Sequence, residues 1–197
     1  MNICIFGDSI AWGAWLPFRV SWANLLRNYL EKNFGSTFSV YDLGIDGDTT
    51  NDLIMRFDAE AKARSPKLII FAIGTNDSSF RKTRNNPIVD INTFKRNVKI
   101  LIDKAKIYTQ KIIFLGLVKG NDQETMPLPS SSTGKCYDKE NVVLYDEAMK
   151  HICLEENVNF IDLYSLLTDQ DFIDGLHPNP AGHIKIFEII REMFDSE

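Results

Sequence analysis

Residues 2–9 read NICIFGDS, an apolar run that ends at a glycine followed by two polar residues. A short run of this kind, rich in isoleucine and phenylalanine, is typical of a buried β-strand. Similar runs follow at 37–42, 67–73, 111–115 and 157–162. The sequence therefore predicts about five strands.

Longer segments with helical periodicity alternate with these runs. Apolar residues recur at helical spacing over 21–32, 51–63, 92–108, 140–154 and 180–194. Strands joined by helices of this length form right-handed crossovers within a parallel sheet that is covered on both faces. We therefore expect an α/β fold, a flavodoxin-like three-layer α/β/α sandwich, with residues 1–197 forming one domain. Ligands bind such sheets beyond the carboxyl ends of the strands.

The composition limits the classes of partner. The 197 residues include 22 Lys and Arg against 27 Asp and Glu, a net charge of −5, and the basic residues form no cluster that would bind nucleic acid. No apolar run reaches the roughly 20 residues that cross a bilayer, and no signal-peptide pattern is visible. We expect no membrane span, a cytoplasmic location and three unpaired cysteines, Cys4, Cys136 and Cys153. The sequence does not indicate an oligomeric state.

Three residues able to take part in acyl transfer follow the first three predicted strands. Ser9 could serve as a nucleophile, although Gly-Asp-Ser is equally typical of a turn or a helix cap. Gly47 could present its backbone N–H to an oxyanion, although Asp-Gly is also common turn chemistry. Asn76 could donate from its amide, or form a local turn. Each residue alone has a purely structural explanation.

The C-terminal motif DGLHPNP at 174–180 supplies a base. Asp174 could accept the Nδ1 proton of His177, which leaves Nε2 free to accept a proton from a serine. The prolines on either side of Asn179 stiffen this loop and favour a helix start directly after it. The other histidines, His151 and His183, are interpreted as solvated residues or as residues that support the site from behind.

Together these blocks resemble the SGNH hydrolases, also called GDSL-type esterases and lipases. The resemblance rests on GDS at 7–9, Gly47 within IDGDT, GTND at 74–77 and DGLHP at 174–178, in family order, and departs from it only in having isoleucine after the serine. It implies Ser9 as nucleophile, His177 as base and Asp174 as its partner, with an oxyanion hole formed by Ser9, Gly47 and Asn76. It also implies a serine ester hydrolase that needs neither metal nor organic cofactor.

The substrate stays open at this stage. We expect a small-molecule acyl ester, with an O-acetylated carbohydrate preferred, while a lysophospholipase or an acyl thioesterase would use the same site. The aromatic residues near the site could line its pocket or belong to the core; they are Trp12, Trp15, Phe18 and Phe80. The irregular segment 119–138 is long enough to form a pocket wall or lid.

These residues also allow three other interpretations. An α/β-hydrolase elbow at Ser9 is disfavoured because that motif normally follows several strands. A non-catalytic flavodoxin-like module could bind an anion at the strand ends, although no glycine-rich phosphate loop is present. A metal phosphoesterase could use carboxylates and an imidazole, and the residues available for it are Asp8, Asp77, Asp174 and His177.

Overall fold

A computed structural model describes residues 1–17 and 20–195. Its strands are β1 (Asn2–Gly7), β2 (Ser39–Gly44), β3 (Leu68–Ala72), β4 (Phe80–Arg81), β5 (Ile112–Leu115), β6 (Lys135–Cys136) and β7 (Asn159–Ile161). Five of them form one sheet in the order β2-β1-β3-β5-β7, and every neighbouring pair in it is parallel. This is the flavodoxin-like order, with the topological switch point between β1 and β3.

Helices connect the strands of this sheet. They are α1 (Ser9–Trp12), α2 (Trp22–Phe34), α3 (Thr50–Arg64), α4 (Ile91–Lys106), α5 (Asp122–Thr125), α6 (Lys139–Glu155) and α7 (Pro180–Arg191). Short 3₁₀ turns lie at Gly35–Thr37 and Asp169–Asp171. The five predicted helices and five predicted strands are all present, so the expectation of a flavodoxin-like α/β fold is confirmed.

The side chains of β1 show how the sheet divides the core into two layers. Cys4 and Phe6 face an apolar cluster that includes residues of α3, α4 and α6. Ile3 and Ile5 face the opposite cluster, which includes residues of α2 and α7. Alternation along a strand places consecutive side chains on opposite faces, and both faces here are apolar because helices cover both.

Polar side chains fix where several helices begin. Thr49 and Asp52 form a capping box at the start of α3. Asn179 accepts hydrogen bonds from the first turn of α7, in which Pro180 is the first residue, as the sequence predicts. These caps set the direction in which the chain leaves the carboxyl edge of the sheet, where the candidate residues lie.

The segment 119–138 is more regular than expected. It contains α5, and its β6 pairs antiparallel with β4, so that Cys136 lies opposite Phe80. Two-residue strands have no periodicity to detect, and their pairing depends on contacts between distant parts of the chain.

Among the described helices, none combines the length and the apolar character needed to cross a bilayer. Cys4, Cys136 and Cys153 are all buried and free, as predicted.

Candidate active site

Four segments at the carboxyl edge of the sheet bring the predicted residues together, and Ser9 is the first residue of one of them, α1. Ser9 follows β1, Gly47 lies between β2 and α3, and Asn76 follows β3. His177 enters from the loop that precedes α7. All four line one pocket, and Asp174 lies directly behind the imidazole.

Ser9, His177 and Asp174 form a continuous hydrogen-bonded series. The Ser9 Oγ atom lies 3.0 Å from His177 Nε2, and His177 Nδ1 lies 2.8 Å from Asp174 Oδ2. Because the Asp174 carboxylate can only accept, the network assigns the ring proton to Nδ1. The Nε2 atom is then the acceptor that faces the Ser9 hydroxyl. Ser9 and His177 are only 5% and 6% exposed, so little water competes for these contacts.

Asp174 is held in place by its own loop. Its Oδ1 atom accepts hydrogen bonds from the backbone N–H groups of Leu176 at 3.1 Å and His177 at 2.8 Å, which leaves Oδ2 for the imidazole. Burial alone would raise the pKa of Asp174, but the hydrogen bonds from His177 hold it below its ordinary value. The carboxylate is therefore ionised at neutral pH, the form that orients a neutral imidazole and stabilises a protonated one.

Candidate donors to an oxyanion lie beside the hydroxyl. Gly47 has φ +79°, and space is open where a Cβ atom would stand. Among the described residues, neither Ser9 N–H nor Gly47 N–H donates to a turn or loop carbonyl. Asn76 Nδ2 donates to the Asp48 carbonyl at 3.0 Å, and an amide nitrogen carries a second N–H. All three residues line the same pocket.

Arg56 links the loops that carry these donors. Its Nε atom lies 2.7 Å from Asp48 Oδ2, and Nη2 donates to the Gly7 carbonyl at 3.1 Å. The Arg56 and Asp48 side chains are both largely buried. The loop after β1 and the loop after β2 are thus tied to one guanidinium group, which fixes Ser9 and Gly47 relative to each other.

Asp8, next to the serine, has an unusual environment. Its Oδ1 atom caps α1 by accepting from Ile10 N–H at 2.9 Å, whereas Oδ2 is buried without a hydrogen-bond partner among the described residues. Burial raises the pKa of Asp8 to about 7.

Asp77 holds the start of α3. Both its carboxylate oxygens accept from the Thr50 backbone N–H, and one also accepts from the Thr50 hydroxyl. The described residues include no cluster of three or more His, Cys, Asp or Glu arranged to hold a metal.

The pocket over Ser9 has a volume of about 260 Å³. Its wall is formed largely by the segment 119–138, through Leu128, Ser130, Ser131, Ser132, Thr133, Lys135 and Tyr137. Trp15 lies on the rim, 64% exposed, with its ring edge-on to the His177 ring at a centroid distance of 6.3 Å. It has φ +65°, a strained conformation for a bulky residue, and such strain is concentrated at functional sites.

The other aromatic candidates have different outcomes. Trp12 is exposed on a neighbouring cleft that also includes Trp15, while Phe80 is buried in the core. Phe18 lies outside the described residues. Of the two interpretations of His183, that of a solvated residue is wrong. His183 lies buried on the apolar face of α7, and its Nδ1 accepts from Trp22 N–H at 3.1 Å. Burial lowers the pKa of His183 to about 4.

Two residues near the site were not predicted as part of it. Tyr137 donates its hydroxyl to Asn76 Oδ1 at 3.0 Å, and Lys135 Nζ lies 3.5 Å from the same oxygen. Both come from the segment 119–138, which the sequence predicts to be irregular. Lys135 and Tyr137 are two residues apart, and side chains at this spacing lie on the same face of an extended segment. This spacing is the only local sequence signal that both could face the pocket.

A flavodoxin-like sheet with a hydroxyl, an imidazole and a carboxylate in series at its carboxyl edge defines the carboxylic ester hydrolases of SGNH type. The chain belongs to the GDSL-like Lipase/Acylhydrolase family, whose model matches residues 5–184. It is a carboxylic ester hydrolase, and the family resemblance seen in the sequence is confirmed.

Two of the relatives of this chain are named as esterases. An arylesterase of Vibrio mimicus is 24% identical over 191 residues, which are 97% of this chain and 86% of that protein. An acetylxylan esterase of Geobacillus stearothermophilus is 25% identical over 161 residues, 74% of this chain and 67% of that protein. The chain spans about half the length, 51%, of the uncharacterized lipoprotein YqeF of Bacillus subtilis, at 27% identity over 61% of this chain.

Solved structures share the fold. The lipase/acylhydrolase from Enterococcus faecalis has a TM-score of 0.77 at 22% identity, covering 98% of this chain and 94% of that one. The acetylxylan esterase Axe2 from Geobacillus stearothermophilus has a TM-score of 0.76 at 20% identity, covering 97% and 92%. At these identities the likeness is one of fold.

Proposed function

We propose that the protein hydrolyses small acyl esters, with Ser9 as nucleophile, His177 as base and Asp174 as the group that orients the base. The observation that carries the proposal is the series of contacts at 3.0 Å and 2.8 Å from the Ser9 hydroxyl through the imidazole to the carboxylate. A hydroxyl is a weak nucleophile unless a base removes its proton as it attacks, and Nε2 of His177 lies within reach to do so.

The first half of the reaction forms an acyl-enzyme. Ser9 Oγ attacks the ester carbonyl carbon while its proton passes to His177 Nε2. The carbonyl oxygen becomes an oxyanion, which accepts from Ser9 N–H, Gly47 N–H and Asn76 Nδ2. When this tetrahedral intermediate collapses, His177 gives its proton to the departing alkoxide oxygen. The alcohol leaves, and the acyl group stays on Ser9.

The second half releases the acid. A water molecule takes the place of the alcohol, and His177 removes one of its protons as the oxygen attacks the acyl carbon. The same donors stabilise the second oxyanion. The bond to Ser9 Oγ then breaks, and His177 returns the proton to the serine. Asp174 stays ionised throughout and stabilises the imidazolium form of His177 in both halves.

Two features favour a short acyl chain and a sugar-like alcohol. The pocket of about 260 Å³ is bordered by the hydroxyl groups of residues 130–133, which suit a small polar group better than a long hydrocarbon chain. The exposed Trp15 ring on its rim offers a flat apolar surface of the kind on which sugar rings stack. A relative named acetylxylan esterase agrees with an O-acetylated carbohydrate as the substrate.

A panel of esters that varies in acyl length and leaving group tests this proposal, with Ser9→Ala as the blank. We expect activity to be highest for acetate esters, to fall as the acyl chain lengthens, and to be lost in Ser9→Ala. An organophosphonate should label the wild-type protein and not Ser9→Ala. The matched control is Ser36→Ala, a change of an exposed serine in the turn Gly35–Thr37, which should behave as wild type.

Each contrary result points to a different error. Wild-type activity in Ser9→Ala would refute the assignment of the nucleophile. Rates that rise with acyl length would favour the lysophospholipase or thioesterase alternatives on the same site. An activity that a chelator abolishes, with no phosphonate labelling, would favour metal-dependent chemistry instead.

A further inference from the structure

The amide of Asn76 has hydrogen-bond partners at both ends. Its nitrogen donates to the Asp48 carbonyl at 3.0 Å, and its oxygen accepts from the Tyr137 hydroxyl at 3.0 Å. The Lys135 ammonium lies 3.5 Å from the same oxygen. A backbone carbonyl can only accept and an ammonium can only donate. The amide therefore has one favourable orientation, with nitrogen towards Asp48 and oxygen towards β6.

This orientation decides what Asn76 presents to the pocket. One N–H is used by Asp48, and the second N–H on the same nitrogen remains for an oxyanion. A reversed amide would place its oxygen against the Asp48 carbonyl and present a lone pair in place of a donor. Two acceptors in contact repel each other, and an oxyanion would meet the same repulsion.

The environment of Tyr137 keeps its hydroxyl able to donate to the Asn76 oxygen. It is buried in a small cluster with Leu128 and Leu176, the residue that precedes the imidazole in the chain. Burial raises the pKa of Tyr137 well above its ordinary value, so the hydroxyl stays protonated and stays a donor. Lys135 lies one residue before the buried Cys136 and lines the same pocket.

We propose that Tyr137 and Lys135 are positioning residues that hold the Asn76 amide in its donating orientation for the oxyanion hole. This inference rests on the proposed function, because it acts through Asn76 at the Ser9 site. The Lys135 charge also draws electron density towards Oδ1, which makes the remaining N–H a stronger donor. The segment 119–138 then contributes to the transition state as well as to the pocket wall.

Steady-state kinetics on a short-chain aryl ester test the proposal through a double-mutant cycle. We expect Tyr137→Phe to lower kcat about tenfold, part of the 10²–10³ that removing an oxyanion donor costs. KM should stay within about twofold, since the contact matters mainly in the transition state. Lys135→Met should lower kcat by about threefold to fivefold. In an Asn76→Ala background, either change should cost less than about twofold, because the amide through which it acts is gone.

Tyr145→Phe is the matched control. Tyr145 is another buried tyrosine, and its hydroxyl donates to the Val89 carbonyl, outside the pocket. We expect its kcat to equal that of the wild type. If Tyr137→Phe fails to fold, the half-buried Lys135 supplies the same test through the cycle with Asn76→Ala.

The possible failures are distinguishable. A loss that is undiminished in the Asn76→Ala background, or one confined to KM, would overturn the positioning role and leave the proposed function standing. Unchanged kinetics in both Tyr137→Phe and Lys135→Met would do the same. Full activity of Ser9→Ala would overturn the proposed function and this inference with it.

Discussion

The buried carboxyl of Asp8 allows a quantitative test of the site's electrostatics through Asp8→Asn. Burial raises its pKa from 3.8 to about 7. Between these pH values Asp8 is ionised in the unfolded chain but keeps its proton in the folded protein. The free energy of unfolding therefore falls as pH rises through this window. At 1.36 kcal/mol per pKa unit the total is about 4 kcal/mol, of which about 2.5 kcal/mol falls between pH 5 and pH 8. Asparagine is neutral at every pH, and its side-chain oxygen can still accept from Ile10 N–H. Asp8→Asn therefore does not lose this stability as pH rises.

Urea unfolding at pH 5 and pH 8 measures the effect. The stability of Asp8→Asn relative to wild type should increase by about 2.5 kcal/mol from the lower to the higher pH. Buried carboxyls that do not interact with Asp8, such as Asp146, are present in both proteins and cancel in the comparison. The exposed Asp103→Asn is the control and should follow the wild type at both pH values. A difference between Asp8→Asn and wild type that stays constant to about 0.5 kcal/mol would refute the reasoning.

Three further changes test other parts of the site. Asp174→Asn should lower kcat about 10⁴-fold on an aryl acetate, because the ring proton of the histidine loses its acceptor; a loss below tenfold would contradict this role. Gly44→Ala would place a Cβ atom 2.5 Å from Trp12 N and 2.8 Å from the Asp8 carbonyl oxygen, and urea unfolding should show about 2–3 kcal/mol lower stability. Trp15→Ala should raise KM for an acetylated sugar about twofold to tenfold and leave KM for a small alkyl acetate unchanged; equal effects on both would argue against stacking.

The central sheet could be predicted because its signals are local. The run at Leu68–Ala72 is apolar throughout because both faces of a parallel strand are buried, and its bounds follow from the sequence within a few residues. The start of α7 was likewise marked by Asn179 and Pro180, which act within one helical turn. In both cases the residues that determine the structure are neighbours in the chain.

Features that depend on distant contacts could not be predicted in this way. The β4–β6 pair joins Phe80–Arg81 to Lys135–Cys136, and neither strand is long enough to show a period. The burial of His183 could have been recognised, because it shares a helix face with Ile186 and Ile190. Its hydrogen bond to the start of α2 could not, because the partner is a backbone N–H far away in sequence.

The groups proposed to react can be located from local sequence signals, whereas the contacts proposed to orient them come from distant parts of the chain. Ser9 and Asn76 lie directly after strands, so the parallel topology alone brings them to one edge of the sheet. The direction of the Asn76 amide is set by a carbonyl of the preceding loop and a hydroxyl 61 residues later in the chain. A motif can supply the amide, but it cannot determine which end of the amide faces the substrate. In this protein that choice depends on segment 119–138, so changes in a pocket wall should alter kcat as well as substrate preference.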